Sequence, residues 1–110
     1  MIRTEKAGMA ARFATLSPLL APRSVAIVGA SDEPARIGGR PIAYMRAQGF
    51  AGTLLPVNPR RKAVQGLRAW LSVADLPEVP DVAIVAVPAE HAVQAVADLG
   101  ARGVKGAIVF

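Results

Sequence analysis

Apolar positions along this chain fall into two patterns that alternate from one end to the other. Short continuous runs rich in β-branched residues come first: Val25-Ala26-Ile27-Val28, Thr53 to Asn58 around Leu54 and Leu55, Val82 to Val87, and Val104 to Phe110. A strand covered on both faces loses the polar–apolar alternation of a half-exposed one, so each run reads as a buried strand. Between them lie segments of helical spacing. Residues 36–48 direct Ile37, Ile42, Met45 and Tyr44 towards one face, with Gly49 as the stop signal. Gly38, Gly39 and Pro41 weaken the start of that segment, so the helix proper is expected to begin late. Residues 89–99 place Val93 and Val96 on one face with Ala92 and Leu99 beside them, and Gly100 and Gly103 end the segment.

Weaker signals fill the gaps. Pro56 lacks a donor and suits a strand end. A small turn at 64–66 leads into Leu67–Leu71, read as a short third strand at the sheet edge, and Ser72 to Pro77 reads as a Ser-capped helical turn. Residues 1–15 read as an N-terminal arm with a short helix at Ala10–Ala14, and 16–110 as one domain, opened by a clasp of Leu16, Leu19 and Leu20. The alternation predicts an α/β fold: a mostly parallel five-stranded sheet, order 3-2-1-4-5, with right-handed crossovers and helices on both faces. The last strand is short of cover on one face, which leads to the expectation that the chain is the first part of a larger protein.

Composition narrows the partners. With 110 residues, 53% hydrophobic and 19% charged, the chain suits one modest globular domain. The net charge of +5 suits a polyphosphate, a nucleic acid or an anionic surface. Aromatic residues are only 5%, so stacking platforms for single strands are scarce, and the cations gather at one strand end. Nucleic acid is therefore not expected as a partner. There is no cysteine, which excludes disulfides and Cys-based zinc sites. No apolar run reaches the roughly 20 residues that span a bilayer. The opening Met1 to Lys6, charged with both signs, is a poor secretory signal. No membrane partner and a cytoplasmic location are the expectations.

In an open parallel sheet, ligands bind beyond the carboxyl ends of the strands near the topological switch point. Three loops are expected there: Gly29 to Pro34, Asn58 to Lys62, and Pro88 to His91. Gly29-Ala30-Ser31 allows the backbone to approach a phosphate, and the helix start behind it supplies N–H groups. A dinucleotide site wants G-x-G-x-x-G here and an acid at the end of the second strand. Neither is present: the next glycine is Gly38, and the second strand ends in Asn58-Pro59-Arg60-Arg61-Lys62. Those cations favour a phosphate on the ribose or a pyrophosphate. NAD is disfavoured, while NADP and coenzyme A, both phosphorylated on the adenosine ribose, remain.

A set of motifs then resembles one family. Leu16 to Ser31, Gly49-Phe50-Ala51-Gly52, Pro56-Val57-Asn58-Pro59, Asp81 to Pro88 and Gly103-Val104-Lys105-Gly106-Ala107 resemble, in order, the Rossmann-like CoA-binding domain of NDP-forming acyl-CoA synthetases, relatives of the succinyl-CoA synthetase α subunit. The resemblance implies that coenzyme A is the cofactor. Gly29, Ala30, Ser31, Arg36 and Gly38 would cradle its phosphates. Asn58, Pro59, Arg60 and Arg61 would form a second ligand loop, and Val87 and Pro88 would line the pantetheine path. Asp32 and Glu33 depart from what a polyphosphate loop needs and must point away or be offset by Arg36. The resemblance also implies an NDP-forming acid–CoA ligase whose phosphohistidine lies in a later domain, with further ligase domains or a partner subunit and an oligomer as partners. His91 is not that histidine and is read as an exposed helix-start residue. No catalytic or metal-binding residue is assigned. Competing readings are a CoA-sensing domain fused to a protein acetyltransferase and a stand-alone NADP-binding domain.

Overall fold

The structure, a computed structural model, describes residues 22–110. The expected arm, its short helix and the leucine clasp lie outside the described residues. β1 (Ser24–Val28) is buried along its whole length and forms the axis of the domain. It pairs in parallel with β2 (Thr53–Val57) on one side, Ala26 opposite Leu55, and with β5 (Val82–Val85) on the other, Ala26 opposite Ala83. β6 (Gly106–Val109) pairs with β5, Ala83 opposite Ala107, completing a parallel four-stranded sheet of order β2-β1-β5-β6. From β1 the chain steps first one way to β2, and later the opposite way from β5 to β6. Right-handed crossovers therefore send the two helices to opposite faces.

α1 (Arg40–Ala47) covers one face, where Ile42 and Met45 pack beneath Val25, Ile27 and Ile84. α2 (Ala89–Arg102) covers the other, where Ala95 and Leu99 meet Ala26, Val28 and Val85. Both helices end alike. The Phe50 N–H donates to the Met45 carbonyl and the Gly49 N–H to that of Arg46, and Val104 and Gly103 repeat this on Leu99 and Gly100. Gly49 and Gly103 sit at φ +74° and +92°, and Phe50 and Val104 fold back onto the core. These are Schellman ends, which satisfy carbonyls that the helix would otherwise leave open.

Several expectations are corrected. The first helix does begin late, at Arg40, but Ile37 and Tyr44 are about half exposed. On α2 the inward stripe is buried Ala95 and Leu99 with half-buried Ala92, while Val93 is 80% exposed and Val96 is also exposed. The helix runs on through Gly100 to Arg102. Among the described residues the sheet has four strands rather than five. The expected third strand is split between a hairpin, β3 (Ala63–Val64) with β4 (Leu67–Arg68), and a single parallel bridge from Trp70 to Val57 at the predicted edge. Pro56 explains the split. Its carbonyl accepts from Trp70 N–H on the outer side of β2, and a residue's N–H and C=O point to the same side of a strand. The next rung would need an N–H from Pro56, which proline lacks. The turn after it is a 3₁₀ helix, Val73–Asp75, and the Ser72 hydroxyl bonds the Asp75 carboxylate rather than capping a backbone N–H.

Glycine-to-alanine changes at two open positions should have opposite signs. At Gly49 and at Gly100 an added Cβ meets nothing within 4 Å, but only Gly49 has a positive φ. We expect Gly49→Ala to lower unfolding free energy by about 1 kcal/mol and Gly100→Ala to raise it by about 0.5–1 kcal/mol, read by urea denaturation.

Candidate functional site

The segments leaving the carboxyl ends of β1, β2 and β5 meet where the strand order reverses. They border an open cleft of about 810 Å³. Its floor is made by backbone. Gly29 turns out of β1 at φ +84°, and a Cβ there would stand 2.7 Å from the Ala86 carbonyl oxygen. Gly38 lies still closer, since its Cβ would fall 1.9 Å from the carbonyl oxygen of Gly29. Gly39 has the same relation to the carbonyl oxygen of Glu33, also at 1.9 Å. Missing side chains thus let the β1–α1 loop fold flat on the end of β1.

That loop closes on itself. The Ser31 N–H donates to the Gly38 carbonyl at 3.1 Å, and the Arg36 N–H to that of Glu33 at 3.1 Å. The Ser31 hydroxyl accepts from the Glu33 N–H at 3.1 Å, which leaves its own proton to donate. The N–H groups of Asp32, Ala35, Ile37 and Gly38 have no hydrogen-bond partner among the described residues, and all four residues border the cleft. Unpartnered N–H groups along a tight loop form a concavity suited to an anion.

The second segment is aimed by Asn58. Its Nδ2 donates to the Ala30 carbonyl at 2.9 Å, while its Oδ1 accepts from the N–H groups of Arg60 at 2.7 Å and Arg61 at 3.0 Å. This is an Asx turn tied to the first loop, so the amide is engaged by protein. It brings Arg61 to the cleft, where Nη2 lies 3.4 Å from Asp32 Oδ2 and Nε donates to the Ala63 carbonyl.

A profile of the CoA binding domain matches residues 23–110. The chain belongs to the CoA-binding domain family. It is 34% identical over 95 residues to a 4-hydroxybutyrate–CoA ligase (ADP-forming) of Nitrosopumilus maritimus, covering 86% of this chain and 14% of that protein. It is 37% identical over 89 residues to the α subunit of an acetate–CoA ligase (ADP-forming) II of Pyrococcus furiosus, covering 80% of this chain and 19% of that one. The fold matches a dinucleotide forming acetyl-coenzyme A synthetase 1 of Ca. Korarchaeum cryptofilum, solved in complex with phosphate and ADP. The TM-score is 0.76 at 36% identity, over 84% of this chain and 20% of that one. The chain therefore spans a fifth or less of the length of these relatives.

In this CoA-binding domain, Gly29, Ala30, Ser31, Arg36, Gly38, Asn58 and Arg61 border the cleft, as the sequence reading grouped them. Four others do not. Pro59 and Arg60 are exposed, Val87 is half-buried against the core with Cγ1 close behind Gly29, and Pro88 stands exposed where α2 begins. Ala86 reaches the cleft in place of Val87 and Pro88. Asp32, Glu33, Ala35, Ile37 and Arg40, all outside the assigned set, also border it. Ile37 was expected to face the sheet, and Arg40 reaches back to donate its Nε to the Ala35 carbonyl at 2.9 Å. Arg40 has a sequence signal, a cation placed directly after Gly38-Gly39. His91 is exposed.

Three arginines, Arg36, Arg40 and Arg61, and two acids, Asp32 and Glu33, share the cleft wall. Glu33 pairs with Arg36 at 2.9 Å and Asp32 with Arg61 at 3.4 Å. Both pairs are exposed, and such pairs contribute at most about 1 kcal/mol, so an incoming phosphate can displace them.

Gly38→Ala should fail at this contact. We expect a loss of about 1–3 kcal/mol in urea unfolding, because backbone must move to admit one methyl group.

Proposed function

We propose that coenzyme A lies in this cleft, its pyrophosphate on the 31–38 loop and its ribose 3′-phosphate near Arg61. The observation that supports this most is the four unpartnered N–H groups of Asp32, Ala35, Ile37 and Gly38, with Arg36, Arg40 and Arg61 bordering the same cleft. The cleft volume falls within the roughly 300–1,000 Å³ typical of small-molecule sites. The end of β2 supplies Asn58, engaged by protein, and no acid to hold a free ribose hydroxyl. The bound group supplies a thiol, the acceptor for an acyl group. This chain's residues hold and orient it.

The family and the ligase relatives support a wider reading. The chain serves as the CoA-holding domain of an ADP-forming acid–CoA ligase in the cytoplasm. Further ligase domains or a partner subunit carry the phosphoryl chemistry. A subunit α among the relatives fits that division, and no described helix is long and apolar enough to cross a membrane.

Calorimetric titration with CoA and, in parallel, NADP tests the site. Saturable CoA binding without an NADP response is expected, and NADP binding alone would overturn the proposal. Arg61→Ala should weaken CoA more than dephospho-CoA. A charge-assisted contact is worth about 1.5–3 kcal/mol, roughly a 10- to 150-fold loss. Equal losses for both ligands would remove Arg61 from the 3′-phosphate.

A further inference from the structure

Gln65 stands behind the cleft, at the tip of the β3–β4 hairpin, and does not border it. Its φ is +48°, and it is the single non-glycine residue with positive φ among the described residues. Gly66 follows at φ +80°, so both central residues of this two-residue turn lie in the left-handed region. Turns of that kind favour Asn, Asp or Gly, because glycine has no Cβ to clash and the short polar side chains of Asn and Asp bond local backbone there. A hairpin needing only to turn has no use for glutamine.

The side chain and backbone of Gln65 instead reach the loop of the anion cradle. Nε2 donates to the carbonyls of Ser31 and Gly39, both at 3.0 Å. The Gln65 N–H donates to Asp32 Oδ1 at 2.7 Å, and the Gln65 carbonyl accepts from the Arg46 guanidinium of α1. Ser31 and Gly39 flank the segment that holds the four unpartnered N–H groups beside the cleft. One amide therefore pins both ends of the loop, and Asp32, on the cleft wall, is tied to the hairpin by the Gln65 N–H. Strain retained where surrounding bonds over-determine it marks a residue kept for what it holds.

We propose that Gln65 is a positioning residue for the phosphate cradle, clamping the loop from Ser31 to Gly39 in the shape that accepts a pyrophosphate. This rests on the CoA reading of the cleft. Two variants separate the clamp from the turn. Gln65→Asn is at ease at positive φ and keeps an amide, but is one methylene too short to span both carbonyls. Gln65→Glu keeps the length and loses the donor.

The test is titration of the 110-residue chain with CoA and dephospho-CoA, beside thermal melting and amide hydrogen exchange. Two lost hydrogen bonds correspond to roughly a tenfold change. Gln65→Asn should bind both ligands about tenfold more weakly, with equal factors since both carry the pyrophosphate, and it should melt no lower than Gln65→Glu because it relieves the left-handed strain. Gln65→Glu should lose at least as much. In both variants the Ser31 and Gly39 amides should exchange faster without ligand. CoA affinity within twofold of wild type in Gln65→Asn, or unchanged exchange at Ser31 and Gly39, would overturn the clamp. Wild-type protein that fails to bind CoA, with exchange still accelerated in the variants, would sink the CoA reading and leave the clamp standing.

Discussion

Everything at the site depends on two stretches of backbone approaching more closely than any side chain permits. Gly38 lies against the carbonyl of Gly29, where a methyl group would stand 1.9 Å from oxygen. That contact folds the β1–α1 loop onto the strand end and sets Ser31 N–H against the Gly38 carbonyl. It also explains why the helix starts only at Arg40. Residues 31–39 make a closed loop instead of a first turn, and the N–H groups of Asp32, Ala35, Ile37 and Gly38 are left without a protein partner among the described residues. Helix start, strand end and anion cradle are one constraint seen from three sides.

Two acids in a loop built for phosphate looked like a contradiction. The structure resolves it by position. Glu33 lies against Arg36, and Asp32 lies between the Arg61 guanidinium and the Gln65 N–H. Asp32 thus acts as a link between three segments, joining the first loop to the Arg61 loop and to the hairpin. Asn58 provides a parallel link by bonding Ala30 on one side and the Arg60 and Arg61 N–H groups on the other. Loops on separate strands are held in register by short polar side chains, while the cations that face the cleft remain exposed and free to exchange partners.

Hydrophobic periodicity located both helices and the buried Ile42 and Met45 of α1, and misjudged the face that α2 buries. On α2 the stripe through Ala92, Ala95 and Leu99 and the stripe through Val93 and Val96 are about one residue's rotation apart. Hydrophobicity favours the valines, yet the alanines bring the helix close to the sheet, and the valines are left beside exposed Val109. Ile37 misled for another reason. It falls in the loop that Gly38 holds flat, so helical spacing does not apply to it.

The sequence alone determined the parallel α/β fold, the central position of β1, the stop glycines and the meeting of the first two loops at the switch point. These follow from local preferences: apolar runs make buried strands, glycines set turns, and crossover handedness restricts the topology. Ordered motifs also pointed to the CoA-binding family. Tertiary structure decided what depends on contacts between distant residues. It reduced the third strand to one bridge, because Pro56 withholds a donor from a partner met only in the fold. It set Val87 half-buried against the core and let Ala86 reach the cleft, and it brought Gln65 across 34 positions to Ser31. Nothing local to Gln65 announces that role, since its partners are backbone carbonyls, which every residue carries and no sequence pattern distinguishes.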